Sequence, residues 1–151
     1  MTESTAPLAL RLEVLRLDPD LPLPRYARAG DAGLDLRSAE SVTIAPGDRA
    51  LVRTGIAVAI PEGFAGFVLP RSGLAVKHGL SMVNTPGLID AGYRGEIQLA
   101  LINHDRTSSV TITRGERVAQ LVIQAIARVE IVEVTTLPAS ERGAGGFGST
   151  G

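Results

Sequence analysis

The chain has 151 residues, a length that suits one domain with a single packed core. Its 15 basic and 16 acidic residues leave a formal net charge of -1, which excludes a polybasic surface for direct, sequence-independent nucleic-acid binding. Cysteine is absent, so there is no disulfide framework and no thiolate metal site. No basic start is followed by an apolar run and no stretch is apolar enough to span a bilayer, so the expectation is a soluble, cytoplasmic protein without membrane contact.

Residues 1-7 read as a loose leader. From Leu8 onward Leu8, Leu10, Leu12 and Val14 recur at period two, the pattern of a half-buried strand. Leu21-Pro-Leu-Pro24 forces an extended connection. In Gly30-Asp-Ala-Gly-Leu-Asp-Leu36 the acids Asp31 and Asp35 share parity and face one side of an extended segment. They are either a turn residue and a core-edge acid or a paired functional feature.

Val42-Thr-Ile44 and the long run Arg49 to Ile60 flank a Pro46-Gly47 turn, and Pro61-Glu-Gly63 precedes Phe64 to Leu69. Further strands are expected at Leu80 to Val83, Glu96 to Asn103, Val110 to Thr113, Arg117 to Ile126 and Val129 to Val134. One short helix is expected at Ser72 to His78. Many short strands with regular turn signals predict an all-β sandwich or barrel. With three Phe, two Tyr and no Trp, its core is built from Val, Ile, Leu and Ala.

Between these strands lie the candidate chemical groups. Pro70-Arg71-Ser72-Gly73 offers a guanidinium, a hydroxyl and free amides at a strand end, a combination suited to phosphate. Ser72 lacks a Gly-x-Ser-x-Gly elbow and an oriented histidine, which argues against a covalent nucleophile. Two histidines and no cysteine argue against zinc. In Asn84 to Glu96, Pro86-Gly87 and Gly92 bracket Leu88-Ile89, so the segment doubles back with Asp90 and Tyr93 near its open end. It is either a surface turn or a pocket whose backbone groups read a small planar ligand while Tyr93 offers a flat face. Arg114-Gly-Glu-Arg117 with Ala119-Gln120 is a turn entering a strand that also puts Arg117 and Gln120 at one strand end.

From Leu137 the pattern breaks into a tail with five glycines between Gly143 and Gly151. Lacking a lysine and a following helix, it is no Walker motif. The expected division is one barrel domain over 1-136 and a flexible tail over 137-151. That tail is either a disordered end or a lid that brings Arg142 and a stacking Phe147 to a phosphate ligand.

Taken together, Gly30-Asp-Ala-Gly-Leu-Asp-Leu36, Pro70-Arg-Ser-Gly-Leu74, Gly87-Leu-Ile-Asp-Ala-Gly-Tyr-Arg-Gly95, Arg114-Gly-Glu-Arg-Val-Ala-Gln-Leu121 and Arg142-Gly-Ala-Gly-Gly-Phe-Gly-Ser-Thr150 resemble the ordered motifs of the trimeric dUTP pyrophosphatases, the dUTPases. The resemblance implies a jelly-roll-like β-barrel of the β-clip kind, assembled as a homotrimer with active sites between subunits. It implies hydrolysis of dUTP to dUMP and pyrophosphate, which supplies dUMP for thymidylate synthesis and keeps uracil out of DNA. It makes Asp90 the general base, with Arg71, Ser72 and Gln120 also in the catalytic set. It assigns uracil to Asn84 and the backbone of Gly87, Leu88, Ile89 and Asp90, and the deoxyribose to Tyr93. Phosphates fall to Arg71, Ser72, Gly73, Gln120 and Arg142, with Phe147, Gly148 and Ser149 closing from the tail, while Arg117 joins the substrate-binding set at large. Gln98 joins the substrate-binding set, and Asp35 accepts from waters on a Mg2+ ion held mainly by the substrate phosphates.

A dCTP deaminase has a similar fold but needs an arginine and a glutamate where this chain carries Val76 and Ala100. A non-catalytic nucleotide-binding barrel is the reading from a different class, against which Asp90 and the complete tail weigh.

Overall fold

The computed structural model describes residues 10–146. Its described strands, in chain order, are β1 (Glu13–Arg16), β2 (Leu34–Arg37), β3 (Val42–Ile44), β4 (Arg49–Ala59), β5 (Phe64–Pro70), β6 (Leu80–Met82), β7 (Gly87–Ile89), β8 (Glu96–Asn103), β9 (Val110–Ile112) and β10 (Arg117–Ala125), with a short helix α1 (Ser72–His78) between β5 and β6. They form a four-stranded sheet β1-β4-β8-β6, a second four-stranded sheet β2-β10-β5-β7 and a β3-β9 ribbon. Every pairing is antiparallel. The result is the expected all-β, jelly-roll-like barrel. Among the described residues no helix is long and apolar enough to cross a membrane.

Period-two patterning builds the core. In β8, Ile97, Leu99, Leu101 and Asn103 point inward, while Glu96, Gln98, Ala100 and Ile102 face outward. Ile97, Leu99 and Leu101 meet Val52 and Val58 of β4 and Leu36, Val68 and Leu121 of the other sheet in one cluster. Leu99 is fully buried, and burying a leucine stabilises the fold by about 1.5–3 kcal/mol. The buried Asn103 is satisfied: its amide donates to the Ile44 and Ser108 carbonyls, and its oxygen accepts from the Asp105 N–H.

The long run from Arg49 does not alternate throughout, because β4 changes partners midway. Its register with β8 shifts between Arg53 and Ala57, and Ile56 to Ala59 pair with β1. Gly55 sits at the shift with φ +72, a conformation that disfavours side-chain-bearing residues. Its N–H donates to Glu96 Oε1 at 2.8 Å. From Thr54 to Val58 consecutive residues are buried, so this half of β4 is covered on both faces, with the Thr54 hydroxyl satisfied by the Ile97 carbonyl.

Expectation and structure differ at both ends. The first strand begins at Glu13 rather than Leu8: Leu12 and Val14 pack on the core as their parity predicts, but Leu10 is exposed and Leu8 lies outside the described residues. Val129 to Val134 form no strand, and Ile131 is 90% exposed. Their apolar, β-branched composition suits a sheet, but a strand requires a hydrogen-bonding neighbour, and none of the described strands pairs with them. The helix expected at Ser72 to His78 forms over those residues, with Arg71 as its N-cap and Gly79 as its C-cap.

Candidate active site

The hairpin makes a cavity. β7 pairs with β5 through Gly87↔Val68 and Ile89↔Gly66, which buries Gly87 and Ile89 and turns Leu88 outward. Beyond Ile89 the chain turns back, with the Tyr93 N–H donating to the Asp90 carbonyl at 3.1 Å. The enclosed space is about 200 Å³, lined by Val68, Met82, Asn84, Gly87, Leu88, Ile89, Asp90, Tyr93, Glu96, Ile97 and Gln98. That is smaller than the roughly 300–1,000 Å³ of pockets for drug-sized ligands, and it suits one planar fragment better than a whole nucleoside triphosphate. Gln98 belongs here because it lies on the outer face of β8, two residues from Glu96.

A second, strongly polar cleft of about 540 Å³ is lined by Ala27, Arg28, Asp31, Ala32, Gly33, Asp35, Arg71, Ser72, Gly73, Arg117 and Gln120. It gathers the groups that the sequence places on the N-terminal motif, the strand end and the last strand. Register explains the convergence: Gln120 of β10 stands opposite both Asp35 of β2 and Leu69 of β5. The groups hold one another in place. Arg117 Nη1 donates to Asp35 Oδ2 at 3.1 Å, Arg71 Nη1 to the Arg117 carbonyl at 2.8 Å, and Gln120 Nε2 to the Pro70 carbonyl at 3.1 Å. Gly33 allows this packing, since a Cβ there would stand 2.6 Å from Gln120 Oε1 and 3.0 Å from its Cβ.

The two cavities share no lining residue, and the register shows how far apart they lie. Continuing the β5–β7 pairing puts Asp90 level with Ala65, whereas Asp35 is level with Leu69 and three strands away. At about 4.8 Å between strands and 3.4 Å per residue, Asp90 is on the order of 20 Å from Asp35 and from Arg71. A general base acts through a hydrogen bond, directly or across one water. Within one chain, therefore, Asp90 cannot serve a phosphate held by Arg71, Ser72 and Gln120.

Arg142 reaches neither cavity. Its Nε donates to the Gly145 carbonyl at 2.8 Å in a local turn. Phe147, Gly148 and Ser149 lie outside the described residues.

The sequence reading missed an ion pair. Arg114, taken as a turn residue, pairs bidentately with Asp18, with Nη2–Oδ1 at 3.0 Å, and donates to the Ala39 carbonyl at 2.7 Å. The Arg114 guanidinium holds the Asp18 carboxyl below its ordinary range. This pair ties the segment after β1 to the turn that launches β10, and so to Arg117 and Gln120. Nothing local signals it, because its partners are 96 residues apart.

A family model described as dUTPase matches residues 20–151. The deoxyuridine 5'-triphosphate nucleotidohydrolase of Thermobifida fusca is 63% identical over 94% of this chain and 79% of its own length. The protein of that name from Mycobacterium tuberculosis is 56% identical over 95% of this chain and 97% of its own. The chain belongs to the dUTPase family. Among solved structures, the dUTPase of Staphylococcus bacteriophage 80alpha with dUPNHPP superposes with a TM-score of 0.87 at 34% identity, over 93% of this chain and 98% of that one. The dUTPase of phage phi11 of S. aureus, described with a structural Mg(II) ion, superposes at 0.77 and 30% identity, over 83% of this chain and 97% of that one. The dUTPase match takes in the hairpin, the polar cleft and the tail. The deaminase alternative is not favoured: Val76 is 87% exposed on α1, and Ala100 faces outward on β8, so neither position supplies a cation or an acid.

Among the described residues, no group of three or more His, Cys, Asp or Glu gathers to hold a metal. The polar cleft nonetheless fits a hydrated Mg2+ carried by phosphates. Asp35 Oδ2 is taken by Arg117, its Oδ1 makes no hydrogen bond among the described residues, and such an ion retains several waters that one carboxylate oxygen can accept from.

Proposed function

We propose that this protein hydrolyses dUTP to dUMP and pyrophosphate, in sites that combine the hairpin cavity of one copy of the chain with the polar cleft of another, within a homotrimer. The observation that carries the reading is the division of the site: the hairpin cavity, which holds Asp90 and no basic residue, lies about 20 Å from the arginine-bearing cleft on the same sheet. Half of a nucleotide-binding site is of little use alone, and a second copy supplies the other half. The exposed apolar segment from Val129 to Val134 and the outward Leu15 and Leu51 supply surface that such an assembly would cover.

In the proposed site, Asn84 and the backbone of Gly87 to Asp90 pair with the edge of uracil, Gln98 borders the base, and Tyr93 packs against the deoxyribose. Arg71, Ser72, Gly73, Arg117 and Gln120 hold the phosphates by charge-assisted hydrogen bonds. Asp90 takes a proton from a water whose oxygen attacks the α-phosphorus. The bond from that phosphorus to the oxygen leading to the β-phosphorus breaks, and its electron pair leaves with pyrophosphate. Mg2+, when bound, neutralises charge on the triphosphate. Asp35 is the residue that would hold such an ion, through its coordinated waters. The tail expected over 137-151 would bring Arg142 to the phosphates and exclude bulk water.

Pyrophosphate release with dUTP, dCTP and UTP, in Mg2+ and in EDTA, tests the reading. Release from dUTP alone, lost in EDTA, is expected. Ammonia release from dCTP would establish a deaminase instead, and binding without turnover a nucleotide sensor.

A further inference from the structure

We propose that Gly95, which contacts no substrate in the site described above, sets discrimination against a 2′-hydroxyl by giving the Tyr93 ring its seat; the inference rests on Tyr93 packing against the sugar. The ring is 46% exposed, so burial alone does not hold it. Its hydroxyl donates to the Glu96 carbonyl at 3.0 Å. The ring also lies across Gly95, where a Cβ would stand 2.6 Å from Tyr93 Cζ, 3.0 Å from Cε2 and closer still to the phenol oxygen.

The seat is rigid on the side away from the ligand. Glu96 pairs with Ala57 in the β4–β8 ladder, and its Oε1 accepts from the Gly55 N–H at 2.8 Å. The Glu96 carbonyl is therefore fixed to the sheet, and the phenol takes its position from it. All three atoms nearest the missing Cβ belong to Tyr93. Gly95 is not among the glycines with positive φ, so its backbone accepts alanine. A methyl group at this position must displace the ring, and with it the wall that lies against C2′ of the sugar.

The size of the effect is bounded. An apolar wall rejects an analogue that only adds a hydroxyl by about 10²-fold, and the rejection depends on holding that wall to within a fraction of an ångström. Gly95→Ala is expected to lower the ratio of kcat/KM for dUTP over UTP roughly 10-fold, an intermediate part of that range. It is expected to do so with the melting temperature retained.

The test measures this ratio in the full-length assembly for the parent, Gly95→Ala, Tyr93→Ala and the double variant. If Gly95 acts through the ring, Gly95→Ala changes nothing further once Tyr93→Ala is present. An unchanged ratio in Gly95→Ala, with a lowered one in Tyr93→Ala, overturns the role of Gly95 and leaves that of Tyr93 standing. An unchanged ratio in Tyr93→Ala overturns both. Equal effects of Gly95→Ala with and without the ring, or a Gly95→Ala chain that does not fold, also overturn the inference, since the glycine then serves something other than the ring.

Discussion

The hairpin cavity is walled by Val68, Met82, Ile97 and the backbone from Gly87 to Asp90, whereas the cleft at the opposite corner of the sheet is walled by Arg28, Arg71, Arg117, Asp31 and Asp35. The first suits a neutral planar ligand, whose donors and acceptors can be met by groups already fixed in a β-ladder. The second suits a polyanion, and two of its three arginines are held before any ligand arrives: Arg117 by Asp35 and Arg71 by the Arg117 carbonyl. Preorganisation thus comes from the backbone in one region, and in the other from side chains held by one carboxylate and by backbone carbonyls. On the proposed reading, substitutions in the hairpin should change selectivity, and substitutions in the cleft and tail should change charge stabilisation.

The largest expected effect is on base selectivity. If the hairpin pairs with uracil as proposed, cytosine there leaves a buried polar group unpaired, and kcat/KM for dCTP should fall below that for dUTP by a factor of about 10⁴. Comparable values for the two would break the comparison at its hairpin end.

Next comes the base. Asp90→Asn keeps size and hydrogen-bonding shape but removes the proton acceptor, so turnover should drop by roughly 10²-fold or more while dUTP still binds. Isothermal titration beside a turnover assay checks this, and lost affinity with intact turnover would remove Asp90 from the role.

Ending the chain at Ala139 removes Arg142 and the residues after it, and should cut kcat by roughly 10²-fold, comparable to losing one preorganised charge stabiliser. The assembly should remain intact by light scattering. Co-refolding this truncated chain with Asp90→Asn chains should restore some pyrophosphate release, because some sites would combine an intact base with an intact tail. Mixed assemblies without recovered activity would confine the tail to its own subunit.

The smallest expected effect concerns the tie between Asp18 and Arg114. Because the Arg114 guanidinium holds the folded Asp18 carboxyl below the ordinary aspartate value, the stability it contributes is full above that ordinary value. It is lost as pH falls through the lower folded value. Melting curves of the parent and Asp18→Asn should therefore differ at neutral pH and converge under acid. A difference that persists at low pH would mean the pair does not act through charge.

Much of the fold was legible from neighbours in sequence. Ile97, Leu99 and Leu101 announce β8 by parity, and Pro70 followed by Ser72 to His78 marks the end of β5 and the span of α1. The motifs likewise specify which side chains carry charge and which turn carries the carboxylate, because helix, turn and strand patterns depend on residues a few positions apart. Only the tertiary structure decided where those groups meet. The β-register brings Asp35, Arg71, Arg117 and Gln120 together and leaves Asp90 at the far corner. Close packing gives Gly33 and Gly95 their purpose, and Asp18 finds Arg114 across 96 residues. Val129 to Val134 carry strand-forming side chains without becoming a strand, since composition supplies a preference and a sheet edge must supply the hydrogen bonds.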